Sequence, residues 1–210
     1  MIVLDAQNVA MRHGRDKAFS VKGIQIAINY WRKNGHEVVC FVPDYLLDYE
    51  QVAAKVNAKK MNLNTEVKIS QIPDDMGLMS KLHLTGYLIS TPSQDYDDSY
   101  CIQYAKKFNA FIVTNDKFRD YVDGLFDQIR ERESESKQTS PGKKKRSPKA
   151  QQHSVIMDKT SAKNEQAWVK SHSISYTFNR DEFLPNPDSK IWSEKGCEFD
   201  EYRSYGLDNI

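Results

Sequence analysis

The chain opens with the run Ile2-Val-Leu-Asp5 (IVLD), in which three apolar residues end at an aspartate. Similar apolar runs recur at residues 37–42 (EVVCFV), 87–90 (YLIS) and 110–114 (AFIVT). Short runs that are apolar throughout are typical of strands in a parallel sheet whose two faces are both covered. We therefore predict that these runs form one parallel sheet.

The segments between these runs have the periodicity of helices. After Ser20, a favourable N-cap residue, apolar side chains recur at the helical spacing up to Trp31, and Gly35 is a suitable stop. Further helices are predicted at residues 46–60, from Asp74 or Asp75 onward, at 97–109 and at 116–132, while 65–72 fits either a strand or a loop. Strands that alternate with helices predict an α/β fold, a doubly wound parallel sheet with helices on both faces.

Residues 132–161 have a different composition, with almost no apolar side chains. We predict a disordered insertion there, which carries a basic run of Lys143, Lys144, Lys145 and Arg146. The alternating pattern of a strand returns at residues 173–178 (SISYTF). We expect one domain over residues 1–189 that contains this insertion, followed by a C-terminal extension at 190–210.

The overall composition limits the classes of function. The 210 residues carry a net charge of +1, so a polyanion would have to bind at a local patch. Cys40 and Cys101 lie in apolar stretches, as buried thiols of a reducing compartment do. No apolar run is long enough to span a membrane, and the first residues lack the pattern of a secretory signal. We expect a cytoplasmic protein, with the nucleus as a second location.

Aspartates follow three of the predicted strands. Asp5 ends the first run, Asp97 and Asp98 begin the helix after YLIS, and Asp116 follows AFIVT. Asp120 is predicted to lie one turn after Asp116 on the same face of its helix. Ligands of such sheets bind beyond the carboxyl ends of the strands, so these acids are candidate site residues. The strand order decides whether they meet.

Two interpretations of these acids are open. Each one alone is explained as a helix cap, because aspartate favours helix N-termini. Several carboxylates together would repel one another unless a cation neutralised them. Mg²⁺ suits such a site and catalyses phosphodiester hydrolysis. Asn8 is likewise either a turn residue or a neutral ligand or water-positioning residue beside Asp5.

Several motifs together resemble the ribonuclease domain of the Regnase (Zc3h12a-like) family, which belongs to the NYN group of PIN-like nucleases. They are VLDAQNVAMRHG at residues 3–14, FSVKGIQIAINYWRKNGHEVVCFVPDY at 19–45, YLISTPS at 87–93, YDD at 96–98, IVTNDKFRD at 112–120 and YTFNRDEFLPNPDS at 176–189. The resemblance implies a PIN-like fold and Mg²⁺-dependent endonucleolytic cleavage of single-stranded or stem-loop RNA, in mRNA decay or RNA silencing, with Mn²⁺ as a substitute metal.

The resemblance also assigns the site residues. The positions that match the family's active site are Asp5, Asn8, Asp98, Asp116 and Asp120, with Asp97 beside them, and the four aspartates other than Asp97 are the expected metal ligands. Three features depart from the family pattern: the loop at 94–96 is short, Ser99 replaces an arginine, and residues 132–161 are inserted. These departures concern contacts with the substrate rather than the metal site.

Basic residues after the first motif are the predicted contacts for RNA phosphates. They are Arg12, His13, Arg15 and Lys17, and the run at residues 143–146 is a second candidate; the alternative for both is a solvated surface. A different class of function is a nuclease-like scaffold that binds RNA or protein partners and cleaves poorly. A phosphatase is disfavoured because Gln7 stands where an Asp-x-Asp pair needs its second acid. Homodimerisation and protein partners that deliver RNA are expectations by analogy.

Overall fold

The computed structural model describes residues 1–61, 67–93, 97–138 and 159–194. The chain divides into two compact units. The first comprises Met1–Asp116 together with His172–Ile210, and the second comprises Lys117–Ser171. The domain predicted over residues 1–189, with its insertion at 132–161, stays a prediction, and the two units are described separately.

The first unit is built on a parallel sheet of five strands. They are β1 (Ile2–Asp5), β2 (Val38–Pro43), β3 (Leu88–Thr91), β4 (Phe111–Val113) and β5 (Ser173–Ile174), in the spatial order β3-β2-β1-β4-β5. All four strand pairs are parallel. The chain moves outward from β1 to β3 and then returns to β4 on the other side of β1. The order therefore reverses between β1 and β4, which makes the carboxyl ends of these two strands the topological switch point of the sheet.

Helices cover both faces of this sheet, as predicted. In the first unit they are α1 (Ala6–His13), α2 (Val21–Lys33), α3 (Tyr49–Lys60), α4 (Met76–Leu84), α5 (Asp97–Phe108) and α8 (Ile191–Glu194), with 3-10 turns at Asp44–Leu46 and Ile69–Gln71. Cys40 joins the core formed with α1, α2 and α4, whereas its neighbour Phe41 packs against Tyr104 of α5 with ring centroids 5.2 Å apart. Successive residues of a strand point to opposite faces, so these contacts place the helices on both sides.

An antiparallel hairpin completes the first unit. Its strands are β6 (Tyr176–Asn179) and β7 (Glu182–Pro185). The single strand predicted at residues 173–178 is wrong, because Ser175 separates β5 in the parallel sheet from β6 in the hairpin. Phe183 of β7 is buried and packs against Tyr30 of α2, with 5.2 Å between the ring centroids. The hairpin is thus joined to the core by aromatic packing.

The second unit contains α6 (Arg119–Gln138) and most of α7 (Lys159–His172). Two predictions are wrong here: helix α6 begins at Arg119 rather than 116, and it continues to Gln138 where disorder was expected from 132. Likewise, α7 begins within the expected insertion. The basic run at 143–146 lies outside the described residues. Within this unit the Tyr121 hydroxyl donates to Glu165, at 3.0 Å.

The described parts of the chain contain no helix with the length and apolar character that crossing a membrane requires. The expected burial of two thiols is confirmed, because both Cys40 and Cys101 are buried. Burial, with a contribution from the negative charge of Asp5, raises the pKa of the Cys40 thiol. Cys40 is therefore a packing residue, protonated in the folded protein.

Helices α1 and α2 approach each other closely at Gly23. A Cβ atom added to this glycine would lie 2.4 Å from Cβ of His13, which cannot move without the backbone of α1. Gly124 in α6 offers a comparison, since nothing lies within 4 Å of its added Cβ. The two glycines therefore separate the effect of packing from that of helix propensity.

We predict that Gly23→Ala lowers the free energy of unfolding by about 1–3 kcal/mol, because overpacking outweighs the gain in helix propensity. Gly124→Ala should instead be neutral or raise it by about 0.5–1 kcal/mol. Chemical denaturation of both variants measures the difference. Equal stabilities for the two variants would contradict the close packing of α1 on α2.

Candidate active site

The carboxylate of Asp5 lies at the carboxyl end of the central strand. Asp5 ends β1 and caps α1, with its Oδ1 atom accepting a hydrogen bond from the backbone N–H of Asn8 at 3.0 Å. The interpretation of Asn8 as a turn residue is wrong, because helix α1 begins directly at Ala6. Asp5 is only 8% exposed. A charge so deeply buried needs hydrogen-bond donors to remain stable.

Thr114 provides the second donor and connects Asp5 to Asp116. Leu4 pairs with Val113 in the sheet, so Asp5 and Thr114 follow at the same edge. The buried Thr114 hydroxyl donates to Oδ2 of Asp5 at 2.8 Å and accepts from the backbone N–H of Asp116 at 2.9 Å. One hydroxyl thereby links the carboxyl ends of β1 and β4. The sequence prediction that Asp5 and Asp116 reach the same edge is confirmed by this topology.

Asn8 is held by groups from two distant segments. Its Oδ1 atom accepts from the backbone N–H of Asn115 at 3.0 Å and from the hydroxyl of Tyr176 at 2.7 Å. The side chain of Asn115 in turn bonds the backbone of Tyr176 twice, accepting from its N–H and donating to its carbonyl, each at 3.0 Å. Asn8 is thus part of the network rather than a simple turn residue.

The electrostatics of Tyr176 reflect its place beside Asp5. Burial, followed by the negative charges of Asp5 and Asp16 and opposed by the positive charge of Arg12, raises the pKa of the Tyr176 hydroxyl. The hydroxyl therefore stays protonated at neutral pH and acts as a hydrogen-bond donor. The effect of Arg12 on the pKa of Tyr176 shows that the positive charge of Arg12 acts at the site.

The other predicted acids take separate positions. Asp97 and Asp98 begin α5 after β3, with Asp98 half-buried, while Asp120 is exposed in the first turn of α6 in the second unit. The prediction that Asp116 and Asp120 share a helix face is wrong, because Asp116 precedes α6 and Phe118 has a φ of +48°. Among the residues that the structure describes, no three His, Cys, Asp or Glu side chains form a group that could hold a metal.

The donor set can nevertheless be tested against a divalent metal. Mg²⁺ commonly binds one or two carboxylates and keeps water and substrate phosphates as its other ligands. Asp5 and Asp116 meet that requirement, because the Thr114 hydroxyl bonds the carboxylate of Asp5 and the backbone N–H of Asp116 at the same edge of the sheet. Asn8 does not, since both lone pairs of its oxygen are used. The set fits a metal held by carboxylates, and the roles of Asp98 and Asp120 as ligands stay predictions.

Comparison with known proteins adds to this geometry. Residues 1–136 match the Zc3h12a-like ribonuclease NYN domain. The chain belongs to this family. The resemblance seen in the sequence motifs is therefore confirmed, and the matched range includes every aspartate of the candidate site.

The individual relatives that match this NYN domain have low sequence identity to it and are longer proteins. Over 128 residues it is 30% identical to endoribonuclease rege-1 of Caenorhabditis elegans, covering 57% of this chain and 17% of rege-1. Two solved structures of nuclear RNase P 2 (PRORP2) from Arabidopsis thaliana match with a TM-score of 0.48 at 17% and 16% identity, covering 88% of this chain and 29% of PRORP2. At these scores the solved structures support no functional argument. The chain spans less than a third of each relative.

The basic residues that were predicted to contact RNA phosphates differ in how far they are bound within this NYN domain. His13 is committed within the protein, because its ring nitrogens lie 2.9 Å from the Ser20 hydroxyl and 3.2 Å from Oδ1 of Asp181. We therefore leave His13 out of the proposed phosphate contacts. Arg12 is about half exposed, with Nη1 3.9 Å from Asp16, and Arg15 and Lys17 are exposed.

Asp181, in the hairpin turn, also bonds Lys22 of α2. The hydrogen bonds from Lys22 and then His13 lower the pKa of the Asp181 carboxyl group. The carboxylate therefore stays ionised at neutral pH. This contact connects the hairpin that carries Tyr176 to helices α1 and α2.

Sequence reasoning missed three residues of the site. Thr114, Asn115 and Tyr176 all lie within motifs that resemble the family, but their neutral side chains carry no charge that would mark them as metal or phosphate ligands. Thr114 and Asn115 had a local signal, because they stand between a buried strand and Asp116. Tyr176 had none, since its partner Asn8 is 168 residues away in the sequence.

The first prediction for the site concerns Thr114. Thr114→Val keeps the shape of the side chain but removes the hydroxyl, which leaves a buried carboxylate and a backbone N–H without that partner. We expect the free energy of unfolding to fall by about 1–3 kcal/mol. Thr114→Ser keeps the hydroxyl and is the matched control, expected to lose less. Denaturant titrations of both variants give the comparison, and a valine variant as stable as the serine variant would argue against the bridge.

Proposed function

We propose that this chain is a divalent-metal-dependent endoribonuclease that cleaves single-stranded or stem-loop RNA. The observation that carries the proposal is the Thr114 hydroxyl, which ties Asp5 to the backbone of Asp116 at the switch point of the sheet. Membership of a ribonuclease family supplies the reaction class. The name of rege-1, an endoribonuclease, agrees with internal cleavage of the RNA chain.

The residues of this chain have distinct tasks in the proposed reaction. Asp5 and Asp116 hold Mg²⁺, or Mn²⁺ in its place, with Asp98 and Asp120 as further acids and Asp97 beside them. When bound, the metal polarises the phosphate and lowers the pKa of a coordinated water. Asp5 is fixed for this task by the Asn8 N–H and by Thr114, so it need not reorganise when the metal binds.

The RNA backbone is attracted by cations near the acids. Arg12 and Arg15, with Lys17, follow the first acid along α1 and its turn, and the charge of Arg12 already acts on Tyr176. Each Lys or Arg that neutralises a phosphate releases counterions, so binding becomes dependent on salt. We propose the run at 143–146 as an additional RNA-holding segment. Cytoplasmic mRNA decay or RNA silencing, homodimerisation and RNA delivery by protein partners belong to the same proposal.

Substitution of the two central aspartates tests the metal site. We expect Asp5→Asn and Asp116→Asn each to reduce cleavage of a labelled stem-loop RNA by more than about 100-fold, because a bound metal contributes several kcal/mol of charge stabilisation. EDTA should abolish cleavage by the wild type, and Mg²⁺ or Mn²⁺ should restore it.

Asp127→Asn is the matched control for these substitutions. It removes the same charge from an exposed residue of α6 whose contact is Arg130, at 2.6 Å. This variant should cleave like the wild type. Circular dichroism shows whether each protein is folded, and titration with Mn²⁺ followed by electron paramagnetic resonance shows whether the metal binds. If either site variant cleaves at the wild-type rate in Mg²⁺, the proposed site is wrong.

A separate measurement tests the RNA contacts. Replacing Arg12 and Arg15 together by Gln, in the Asp116→Asn background that leaves RNA intact, should weaken binding by about 1–3 kcal/mol. The slope of log affinity against log salt should become shallower by about 1–2 units. The control replaces Arg32 and Lys33, in the last turn of α2 at the opposite edge of the sheet, by Gln. An unchanged slope for the Arg12 and Arg15 variant would show that these arginines do not contact the RNA phosphates, and would leave residues 143–146 as the proposed RNA-holding segment.

A further inference from the structure

The orientation of the Asn8 side chain is fixed by its partners. The backbone N–H of Asn115 can only donate, so the atom that it meets in Asn8 must be the oxygen. The hydroxyl of Tyr176 donates to the same oxygen at 2.7 Å. With two bonds, the acceptor capacity of this oxygen is filled. The amide nitrogen Nδ2 is the group that remains for another partner.

A metal ligand and a hydrogen-bond donor are opposite chemical roles. A cation binds the oxygen of an asparagine, whereas an anionic phosphate oxygen binds its N–H group. Because the oxygen is used inside the protein, Asn8 offers the site a donor. The resemblance to the family assigned Asn8 to the active site without this distinction.

We propose that Tyr176 is a positioning residue that holds the Asn8 amide with Nδ2 directed to a phosphate oxygen of the bound RNA. The proposal rests on the proposed ribonuclease function and assigns roles to two of its residues. Asn8 touches the substrate, and Tyr176 acts through Asn8. A donor fixed before the reaction stabilises the negative charge that develops on the phosphate at no cost of reorganisation.

Tyr176 is held firmly enough for this task. Its side chain is 6% exposed, and its ring stacks on Phe183 with 5.2 Å between centroids. Its backbone N–H and carbonyl are both bonded by the side chain of Asn115. Asn115 therefore acts on Asn8 in two ways, through its own N–H and through the placement of Tyr176. Without the Tyr176 hydroxyl, one donor remains to orient the Asn8 oxygen.

Kinetics of three variants test whether Tyr176 acts through Asn8. We expect Asn8→Ala to lower kcat about 100-fold with little change in KM, as does the loss of one donor to a developing oxyanion. Tyr176→Phe should lower kcat about 3- to 10-fold, since one hydrogen bond that orients the donor is lost. The double variant should be no slower than Asn8→Ala alone, within about twofold, because the tyrosine has no other route to the reaction.

Tyr30→Phe is the matched control. Tyr30 packs against the same Phe183 and loses the same atom, but it lies on α2 and no contact between it and Asn8 is seen in the described residues. Its kcat should equal that of the wild type. Melting temperatures of both tyrosine variants identify any loss of activity that comes from unfolding.

Metal binding without RNA provides a readout besides activity. If Nδ2 is the active group, Asn8→Ala and Tyr176→Phe should bind Mn²⁺ as the wild type does, measured by electron paramagnetic resonance. If the Asn8 oxygen were a ligand or supported one, the affinity of Asn8→Ala would fall about 10- to 100-fold. That loss would overturn the donor role.

The remaining outcomes are also decisive. A Tyr176→Phe variant as fast as Tyr30→Phe, or a double variant slower than Asn8→Ala by the full factor of the tyrosine change, overturns the role of Tyr176 while ribonuclease activity stands. A wild-type protein that cleaves no RNA with Mg²⁺ or Mn²⁺ removes the proposed function and this role together. The wild-type assay thus separates the two failures.

Discussion

The carboxylate of Asp5 is buried at the end of the central strand, and a negative charge in that position depends on the donors around it. The Asn8 N–H is available because α1 starts immediately after β1. The Thr114 hydroxyl is available because β4 pairs directly with β1, which requires the chain to cross back after building β2 and β3. The strand order thus stabilises the buried negative charge of Asp5, because it places Thr114 beside this carboxylate. The same hydroxyl accepts a hydrogen bond from the backbone N–H of Asp116. The stability of the fold and the proposed metal site therefore depend on one side chain.

A second set of contacts links the aromatic core to the site. Phe183 packs on Tyr30 of α2 and stacks on Tyr176, so the hairpin is held by the same core that supports the sheet. From that position Tyr176 reaches Asn8, the residue whose N–H supports Asp5. Neutral residues therefore position the acids: they bond the carboxylate of Asp5 and the backbone N–H of Asp116. The proposed metal would join hydrogen bonds that the protein makes by itself.

Local patterns predicted most of the sheet, because buried parallel strands such as residues 37–42 have an apolar character that few other structures share. The position of Asp5 followed from that pattern as well. The start of α1 could not be predicted in this way. An aspartate is favoured both in a turn and at a helix N-cap, so the sequence does not distinguish the two. The start of α6 depends on the positive φ of Phe118, which no residue preference indicates. The split at Ser175 and the bond from Tyr176 to Asn8 depend on long-range packing, which a single sequence does not contain.

The hairpin has a consequence for the order in which this protein is made. All the candidate acids lie within the first 120 residues, whereas Tyr176 and the fifth strand come from the far end of the described chain. Contacts between distant parts of a chain form late, because a long loop must close first. On the ribosome, the aspartates and Asn8 emerge well before the hydroxyl that fixes the Asn8 amide. A nascent chain therefore carries Asp5 and Asn8 without a complete network around them until the segment with Tyr176 has emerged.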